Sequence, residues 1–258
     1  MTAQTEQLVV AVSSRALFDL EKEHQLFETQ GYEAFRDFQV RMKDEPLKPG
    51  VAFPFVKRFL GLNKLFPSLE PFRVVALSRN SPETARRFFN SCRHYQLPIH
   101  AGAFTSGQST FPYISAFKVS LFLSANAANV TRAIEAGLPG GLVLPNRMAD
   151  DSDDDDPTLR IAFDFDGVLA DDESERCYQK EGLSAFHKNE MEKAETPHAP
   201  GPLRDLFARL SAFQRLDYQT RGSKDPYFKP AIRISIVTSR GAPSEERLIT
   251  TLKSFGMS

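Results

Sequence analysis

The sequence predicts an α/β fold built around a mainly parallel sheet. Short apolar runs rich in β-branched residues alternate with amphipathic helical patterns along the chain. The same order of elements also occurs twice, and an internal repeat of this kind indicates tandem units. The 258 residues can hold one large domain or two modest ones, with enough apolar side chains for a core.

Four segments carry the strand prediction. They are QLVVAVSS and FRVVALS in the first half, and LRIAFDFD and RISIVTS in the second half. Their near-continuous apolar character is typical of buried strands in parallel sheets. Two further segments, SPETARRFFNSCRHY and PSEERLITTLKSF, begin with Ser, Pro and Glu, which are residues typical of a helix N-terminus.

The repeat has a defined register. Ser13 corresponds to Asp164 at an offset of 151, and Ser78 corresponds to Thr238 at an offset of 160 after a short insertion around QTRGSKDPYF. The matches between these points are Phe27 with Tyr178, Gly31 with Gly182, Ala34-Phe35 with Ala185-Phe186, and Pro49-Gly50 with Pro200-Gly201. Chance similarity between two α/β units is the alternative, but the unbroken register favours duplication.

These matches predict a first unit over residues 1–148, an acidic linker over residues 149–157 and a second unit over residues 158–258. The boundary segment NRMADDSDDDDP resembles a calcium loop in its acidity. However, it lacks the Gly and the closing Glu of an EF-hand. We therefore expect a solvated, self-repelling linker.

Composition narrows the class of protein. The formal net charge of −1 gives no sign of a nucleic-acid partner. Cys92 and Cys177 cannot form a disulfide framework, which fits a reducing compartment. The sequence contains neither a signal-peptide pattern nor an apolar run of membrane-spanning length. We expect a cytoplasmic protein without a membrane partner.

Two carboxylates lie at the end of the predicted strand LRIAFDFD. Asp164 and Asp166 flank one Phe, so both can project at the carboxyl end of the strand, where open α/β sheets bind ligands. Carboxylate and carbonyl oxygens suit Mg²⁺, and Gly167 allows the backbone to approach a phosphate. This pattern predicts that Asp164 and Asp166 bind Mg²⁺, that Asp164 is the nucleophile towards phosphorus and that Asp166 is the acid and base. A turn or an N-cap pair is the structural alternative.

The segment RISIVTSRG supplies a second candidate. Thr238 ends a predicted strand just before a helix, where hydroxyl and backbone N–H groups can bind a phosphate oxygen, and Ser239 follows it. We therefore predict Gly167, Thr238 and Ser239 as phosphate-binding residues. For Thr238, an ordinary β-branched strand residue is the alternative.

The segment between these motifs, about residues 171–202, has a helical pattern and the size of a small cap that could exclude water. Tyr178, Phe186 and the acids between Asp171 and Glu175 are candidates either for substrate contact or for packing. His187 and His198 lack metal-ligand spacing, and we assign them no role.

At these motifs the sequence resembles the haloacid dehalogenase (HAD) superfamily of phosphohydrolases, and more narrowly the cytosolic type I 5′-nucleotidases. The stretches that carry the resemblance include AVSSRALFD, PGVAFPFVKR, AFDFDGVLADDESER and IVTSR. The resemblance implies two tandem Rossmann-type units, each with a small helical cap. It also implies Mg²⁺-dependent hydrolysis of nucleoside 5′-monophosphates, with Asp164 as nucleophile, Asp166 as acid and base, and Thr238 on the phosphate.

The sequence departs from the pattern of this superfamily in one respect. The superfamily also has a lysine motif and an acidic metal-binding motif, and their first-unit counterparts are Lys118 and the pair Ser124 and Asn126. Their second-unit counterparts would fall near positions 278, 284 and 286, beyond Ser258. We therefore expect the second unit to be incomplete and this chain to be weak or inactive alone.

In the first unit, Ser13 and Arg15 replace the two acids, so we expect a degenerate copy kept for packing, regulation or oligomer formation. Arg15 either binds an anion or is neutralised by a neighbouring acid. The leading functional prediction is a 5′-nucleotidase, and a homo-oligomer remains open. The alternatives are a HAD phosphatase for another small phosphate ester and a non-catalytic nucleotide-binding protein.

Overall fold

The computed structural model describes residues 7–144 and 156–256. The chain divides into two compact units, unit 1 over residues 1–157 and unit 2 over residues 158–258. The predicted acidic linker, residues 149–157, lies outside the described residues except for its last two positions.

Unit 1 is built on a parallel sheet. The strands in its described part are, in chain order, β1 Leu8–Val12, β2 Phe18–Asp19, β3 Lys48–Pro49, β4 Phe72–Ser78, β5 Gly102–Phe104, β6 Val119–Ser124 and β7 Gly140–Leu142. Five of them form the central sheet in the order β5-β4-β1-β6-β7, and every neighbouring pair is parallel. The short β2 and β3 form a separate antiparallel pair.

Helices connect these strands. Those in the described part of unit 1 are α1 Ser14–Leu17, α2 Glu21–Arg41, α3 Phe53–Gly61, α4 Pro82–His94, α5 Phe111–Ala116 and α6 Ala127–Glu135, with a 3-10 helix at Leu62–Leu65. Proline lies in the first turn of α3, α4 and α5, where its missing N–H costs no hydrogen bond. The Asn126 side chain caps α6 by accepting from the Asn129 N–H at 3.0 Å.

The core of unit 1 surrounds β1. All five residues of this strand are buried, and β4 is nearly as deeply buried. Because successive side chains of a strand point to opposite faces, complete burial requires both faces of the sheet to be covered. The expectation of an α/β fold with a mainly parallel central sheet is confirmed.

Unit 2 has fewer elements in its described part. They are β8 Leu159–Asp164, α7 Glu173–Glu192, α8 Arg204–Thr220, β9 Ile232–Val237 and α9 Glu245–Ser254, with a wide helical turn at Phe165–Leu169 and a 3-10 helix at Gly222–Lys224. Strands β8 and β9 pair in parallel. Phe163 of β8 packs edge-on against Phe207 of α8, with the ring centroids 5.1 Å apart.

The predicted cap, about residues 171–202, comprises α7 and the loop that follows it. Helix α7 is interrupted at Gly182, whose φ of 81° and ψ of −177° lie in a region essentially restricted to glycine. Helix α2 of unit 1 is interrupted in the same way at Gly31, with φ 82° and ψ −175°. Both glycines therefore mark a kink in the helix.

Among the described residues, no helix combines the length and the apolar character that crossing a membrane requires.

Candidate active site at the ends of β8 and β9

The parallel pairing of β8 and β9 brings two sequence motifs to one edge of the sheet. The register places Asp164 opposite Val237, so Thr238 is the next residue beyond that pair. The Thr238 hydroxyl accepts a hydrogen bond from the Arg240 backbone N–H at 3.1 Å. The two predicted motifs therefore lie on neighbouring strand ends, the location where open α/β sheets bind ligands.

Asp164 is the last residue of β8 and its side chain remains accessible. Its Oδ1 accepts the Phe165 backbone N–H at 2.7 Å, which fixes the carboxylate at the start of the following turn. The residue is exposed. Gly167, which directly follows Asp166, has a φ of 71° and is also exposed, as is Ser239.

Asp166 occupies a different environment from Asp164. Arg240 binds it in a bidentate manner, with Nη2 at 2.6 Å from Oδ1 and Nε at 2.9 Å from Oδ2. Two parallel N–H···O bonds between a guanidinium and a carboxylate are strong and orient both groups. The structure therefore ties Asp166 to the loop after β9.

A buried ionic network continues from Arg240 towards the cap. Glu190 of α7 is 1% exposed and contacts Arg240, and it accepts from Arg247 Nη1 at 3.0 Å and from the Ser174 hydroxyl at 2.6 Å. Burial by itself raises the pKa of Glu190, but hydrogen bonds from His198, Ser174 and Arg240 outweigh it and hold the pKa well below the ordinary value. Glu190 is therefore a stable anion inside unit 2.

Asp171, Glu173 and His198 form a second cluster, with one ligand-type atom of each within 4.8 Å of the others. His198 is buried, and its Nδ1 lies 3.1 Å from Asp171 Oδ1. Lys193 contacts Glu173, and Arg247 Nη2 donates to it at 2.9 Å. The hydrogen bond from Lys193, followed by Arg247, lowers the pKa of Glu173 against the opposing effect of burial. Because these cations already neutralise Glu173, the cluster is an extension of the ionic network.

The two aromatic residues of the predicted cap, Tyr178 and Phe186, lie in different environments. Tyr178 is 48% exposed, and its ring lies edge-on to Phe186 with the centroids 6.4 Å apart. Phe186 faces the Arg240 guanidinium at 5.4 Å from the ring centroid. Phe186 therefore packs on the group that binds Asp166, and Tyr178 presents part of its surface to solvent.

The corresponding strand end in unit 1 lacks this chemistry. Ser13 caps the short α1, because its hydroxyl accepts the Ala16 N–H at 3.3 Å. Arg15 lies 3.5 Å from Glu21, so an acid neutralises it. This pair favours the neutralised alternative for Arg15 over anion binding.

Sequence reasoning did not identify Arg240, Glu190, Arg247 or His198 as parts of this site. The repeat contained a usable signal for two of them. At the repeat offsets, Glu190 corresponds to Gln39 and Arg247 corresponds to Arg87, and all four side chains are buried. Polar residues that recur at matched positions in two helical segments indicate an internal hydrogen-bond network, because buried polar groups need partners.

Two comparisons with known proteins identify the same family. The 5′-nucleotidase family model matches residues 1–258. The chain is 31% identical over 256 residues to cytosolic 5′-nucleotidase 1B of Homo sapiens. This match covers 97% of the chain but 41% of the human protein, so the chain spans about two fifths of the length of that curated relative. No solved structure matches the chain.

Proposed function

Since the chain belongs to the 5′-nucleotidase family, we propose that unit 2 hydrolyses nucleoside 5′-monophosphates such as AMP to nucleoside and phosphate. The observation that carries this proposal is the register between β8 and β9, which puts Asp164 and Thr238 on adjacent strand ends. The name of the human relative, a cytosolic 5′-nucleotidase, supports the same reaction and a cytoplasmic location.

In the proposed reaction, a carboxylate oxygen of Asp164 attacks phosphorus and the bond to the nucleoside 5′ oxygen breaks. Asp166, which carries a proton on its carboxyl group at the start of the cycle, donates that proton to the departing oxygen. It then takes a proton from the water that attacks the aspartyl phosphate, and phosphate is released. Arg240 Nε and Nη2 both donate to Asp166 Oδ1, whereas Oδ2 accepts only from Nε, so Oδ2 retains a lone-pair site for proton exchange.

Thr238, Ser239 and Gly167 are the proposed phosphate-binding groups. Thr238 stands next to the strand end that carries Asp164, and Ser239 and Gly167 are both exposed there. The Thr238 and Ser239 hydroxyls can donate hydrogen bonds to phosphate oxygens without adding charge. The Gly167 N–H donates to the Asp171 carbonyl oxygen at 3.2 Å and would exchange that bond for one to phosphate.

The donor set fits Mg²⁺ in part. The exposed Asp164 carboxylate offers a hard oxygen ligand, whereas the Asp166 carboxylate is already neutralised by Arg240. In this proposal the Asp164 carboxylate and the Asp166 backbone carbonyl would hold the cation. When bound, Mg²⁺ neutralises charge between the nucleophile and the phosphate.

The tandem arrangement is part of the proposal. Strand Leu8–Val12 pairs with β4 starting from Leu8 opposite Phe72, and β8 pairs with β9 starting from Leu159 opposite Ile232. Both registers agree with the repeat offsets read from the sequence. These matches support a HAD-like duplication in which unit 1 is a degenerate copy, unit 2 is the catalytic copy and α7 belongs to its cap.

Phosphate release from AMP, IMP, CMP and simple phosphate esters, with and without Mg²⁺, tests the function. We expect slow, Mg²⁺-dependent release from nucleotides that Asp164→Asn abolishes. With Asp166→Asn, mass spectrometry should find a phosphorylated peptide that contains Asp164. If the unchanged chain releases no more phosphate than Asp164→Asn and no peptide is phosphorylated, the proposal is wrong. Preference for simple esters would favour the other HAD phosphatase.

The contacts between Arg240 and the Asp166 carboxylate favour a second candidate function, which is nucleotide binding without catalysis. In this second candidate, the chain binds nucleotide without turnover because Arg240 holds both Asp166 oxygens. Calorimetric titration with AMP and Mg²⁺ alongside the release assay separates the two candidates. Binding without release would favour the second.

A further inference from the structure

We propose that Arg240 is a positioning residue that holds the Asp166 carboxylate in place at the end of β8, and that Glu190 of the cap helix orients Arg240. The inference rests on the proposed function, since it concerns the acid and base of that reaction. In this proposal Arg240 acts only through Asp166 and does not contact the substrate.

The geometry of the Arg240–Asp166 pair is that of a fixed fork. Nη2 donates to Oδ1 at 2.6 Å and Nε donates to Oδ2 at 2.9 Å, so the carboxylate can rotate only if both bonds break. Asp166 lies on non-helical backbone, with ψ 127°, inside the turn Phe165–Leu169. The local backbone therefore does not fix this side chain by helical packing, and Arg240 supplies the constraint.

Arg240 is held on all sides. Its side chain is 1% exposed, and its guanidinium lies 5.1 Å from the Phe165 ring centroid and 5.4 Å from the Phe186 ring centroid. Glu190 contacts its Nη1, and His198 Nε2 lies 3.2 Å from its Nη2. Aromatic rings on a guanidinium and a buried carboxylate beside it leave little rotational freedom.

In unit 1 the equivalent loop forms without an arginine at this position. Asn80 occupies the equivalent position, and its backbone N–H donates to Ser78 Oγ at 3.2 Å, just as Arg240 N–H donates to Thr238 Oγ1 at 3.1 Å. The same backbone turn therefore forms with asparagine.

Four positions differ together between the units. Unit 1 has Arg15, Gln39, Leu47 and Asn80 where unit 2 has Asp166, Glu190, His198 and Arg240. In unit 2 these four side chains contact one another through Arg240. A buried ion pair contributes little net stability on average. Because the linked charges occur only in the unit with the two acids, a role at the strand end explains them better than folding does.

Carboxyl labelling tests whether Arg240 holds Asp166. The intact chain is treated with a water-soluble carbodiimide and an amine, and labelling at each acid is measured by mass spectrometry. In the unchanged chain we expect Asp166 to be protected relative to Asp164. Arg240→Asn, which installs the residue that unit 1 tolerates, should raise labelling at Asp166 several-fold and leave Asp164 unchanged.

Arg221→Asn is the matched control, because Arg221 also binds a buried acid of unit 2, with its Nη2 at 2.8 Å from Asp217 Oδ2. We expect this control to leave both the labelling of Asp166 and the kinetic constants unchanged. A similar rise in labelling with both variants would indicate general loosening of unit 2 and would overturn the proposal.

Kinetics of AMP hydrolysis supply the second readout. Arg240→Asn should lower kcat by about tenfold to a hundredfold with little change in KM, since a misplaced acid and base loses part of its usual contribution. Arg240→Lys should restore part of kcat. Unchanged labelling at Asp166, or unchanged kcat despite increased labelling, would overturn the inference. If the unchanged chain protects Asp166 but hydrolyses no nucleotide, the proposed function fails instead.

Discussion

The two units contain sheets with the same strand register but different surroundings. In unit 1, β1 lies between β4 and β6, and all of its residues are buried. In unit 2, β8 pairs with β9, and the residues of both strands alternate between buried or half-buried and exposed positions. Strand register therefore follows from the local sequence, whereas burial depends on how many other elements cover the strands.

The units also share an internal polar scaffold. Arg87 Nη1 donates to Gln39 Oε1 at 3.0 Å in unit 1, and Arg247 Nη1 donates to Glu190 Oε1 at 3.0 Å in unit 2. Ser91 Oγ accepts the Leu47 N–H at 2.9 Å, and the equivalent Thr251 Oγ1 accepts from His198 N–H at 3.0 Å. A buried arginine with equivalent hydrogen-bond partners is therefore common to both units, and unit 2 has further charged groups around it.

The largest expected difference between the units is in the stability lost when the buried arginine, Arg87 or Arg247, is replaced by glutamine. Arg87→Gln leaves Glu23, whose side chain is 7% exposed, without its ion-pair partner at 2.7 Å, and should cost about 3–5 kcal/mol. Arg247→Gln should cost less, about 1–3 kcal/mol, because Glu190 keeps Arg240 and Glu173 keeps Lys193.

Urea unfolding, with hydrogen exchange read by mass spectrometry on peptides of each unit, measures both losses of stability. A cost of Arg247→Gln equal to or above that of Arg87→Gln would show that the additional cations of unit 2 do not compensate.

Reciprocal substitutions at the matched strand position test the difference in burial. Val75 of β4 is fully buried, and Ser235 of β9, at the repeat offset, is exposed. Val75→Ser should destabilise unit 1 by about 3 kcal/mol, through lost apolar burial and a buried hydroxyl. Ser235→Val should change stability by no more than about 0.5 kcal/mol in this chain. Equal effects in urea unfolding would contradict the comparison.

The helix interruptions should respond alike in both units. Gly31→Ala and Gly182→Ala each place a side chain at a φ near 80°, where nothing lies within 4 Å of the added Cβ. The cost is therefore backbone strain alone, about 1–3 kcal/mol in each unit. Measured losses of unfolding free energy that differ widely between the two variants would show that the two interruptions are not equivalent.

Acid should destabilise unit 2 through its charged network. Glu173 and Glu190 have lowered pKa values in the folded state. Below the ordinary glutamate value of about 4.3, the unfolded chain therefore takes up protons that the folded unit does not. The contribution of these groups is fully present at neutral pH and is lost as the pH falls through the lowered pKa values.

Glu190→Gln, which installs the residue that unit 1 has at Gln39, should make the loss of stability of unit 2 between neutral pH and about pH 3 shallower. Glu195→Gln, at an exposed position in the same unit, is the control and should leave the slope unchanged. Urea midpoints of unit 2 across this range provide the measurement. An unchanged slope with Glu190→Gln would exclude Glu190 as a source of the acid sensitivity.

Much of the fold could be predicted because its determinants are local. The strands ending at Asp164 and Val237, and the helix start near Ser81 and Pro82, follow from apolar runs and from residues typical of helix N-termini. The placement of Asp164 beside the Thr238 loop also followed from sequence, since parallel strands end at one edge of a sheet.

The partners of Asp166 could not be predicted in this way. Arg240 lies 74 residues from Asp166 and 50 residues from Glu190 along the chain. No periodicity relates these positions, and an isolated Asp-x-Asp pattern suits a free carboxylate as well as an ion-paired one. The buried position of His198 was missed for the same reason, because its partners come from other helices and loops.

The alternation of strands and helices, the repeat register and the positions of the two acids can be read from the amino-acid sequence, because polarity patterns and turn residues act over a few neighbouring positions. The exposure of Asp164 and the pairing of Asp166 with a buried arginine depend instead on the three-dimensional fold. That outcome depends on charged groups from distant segments meeting in a water-poor interior, where each buried charge must find an opposite partner.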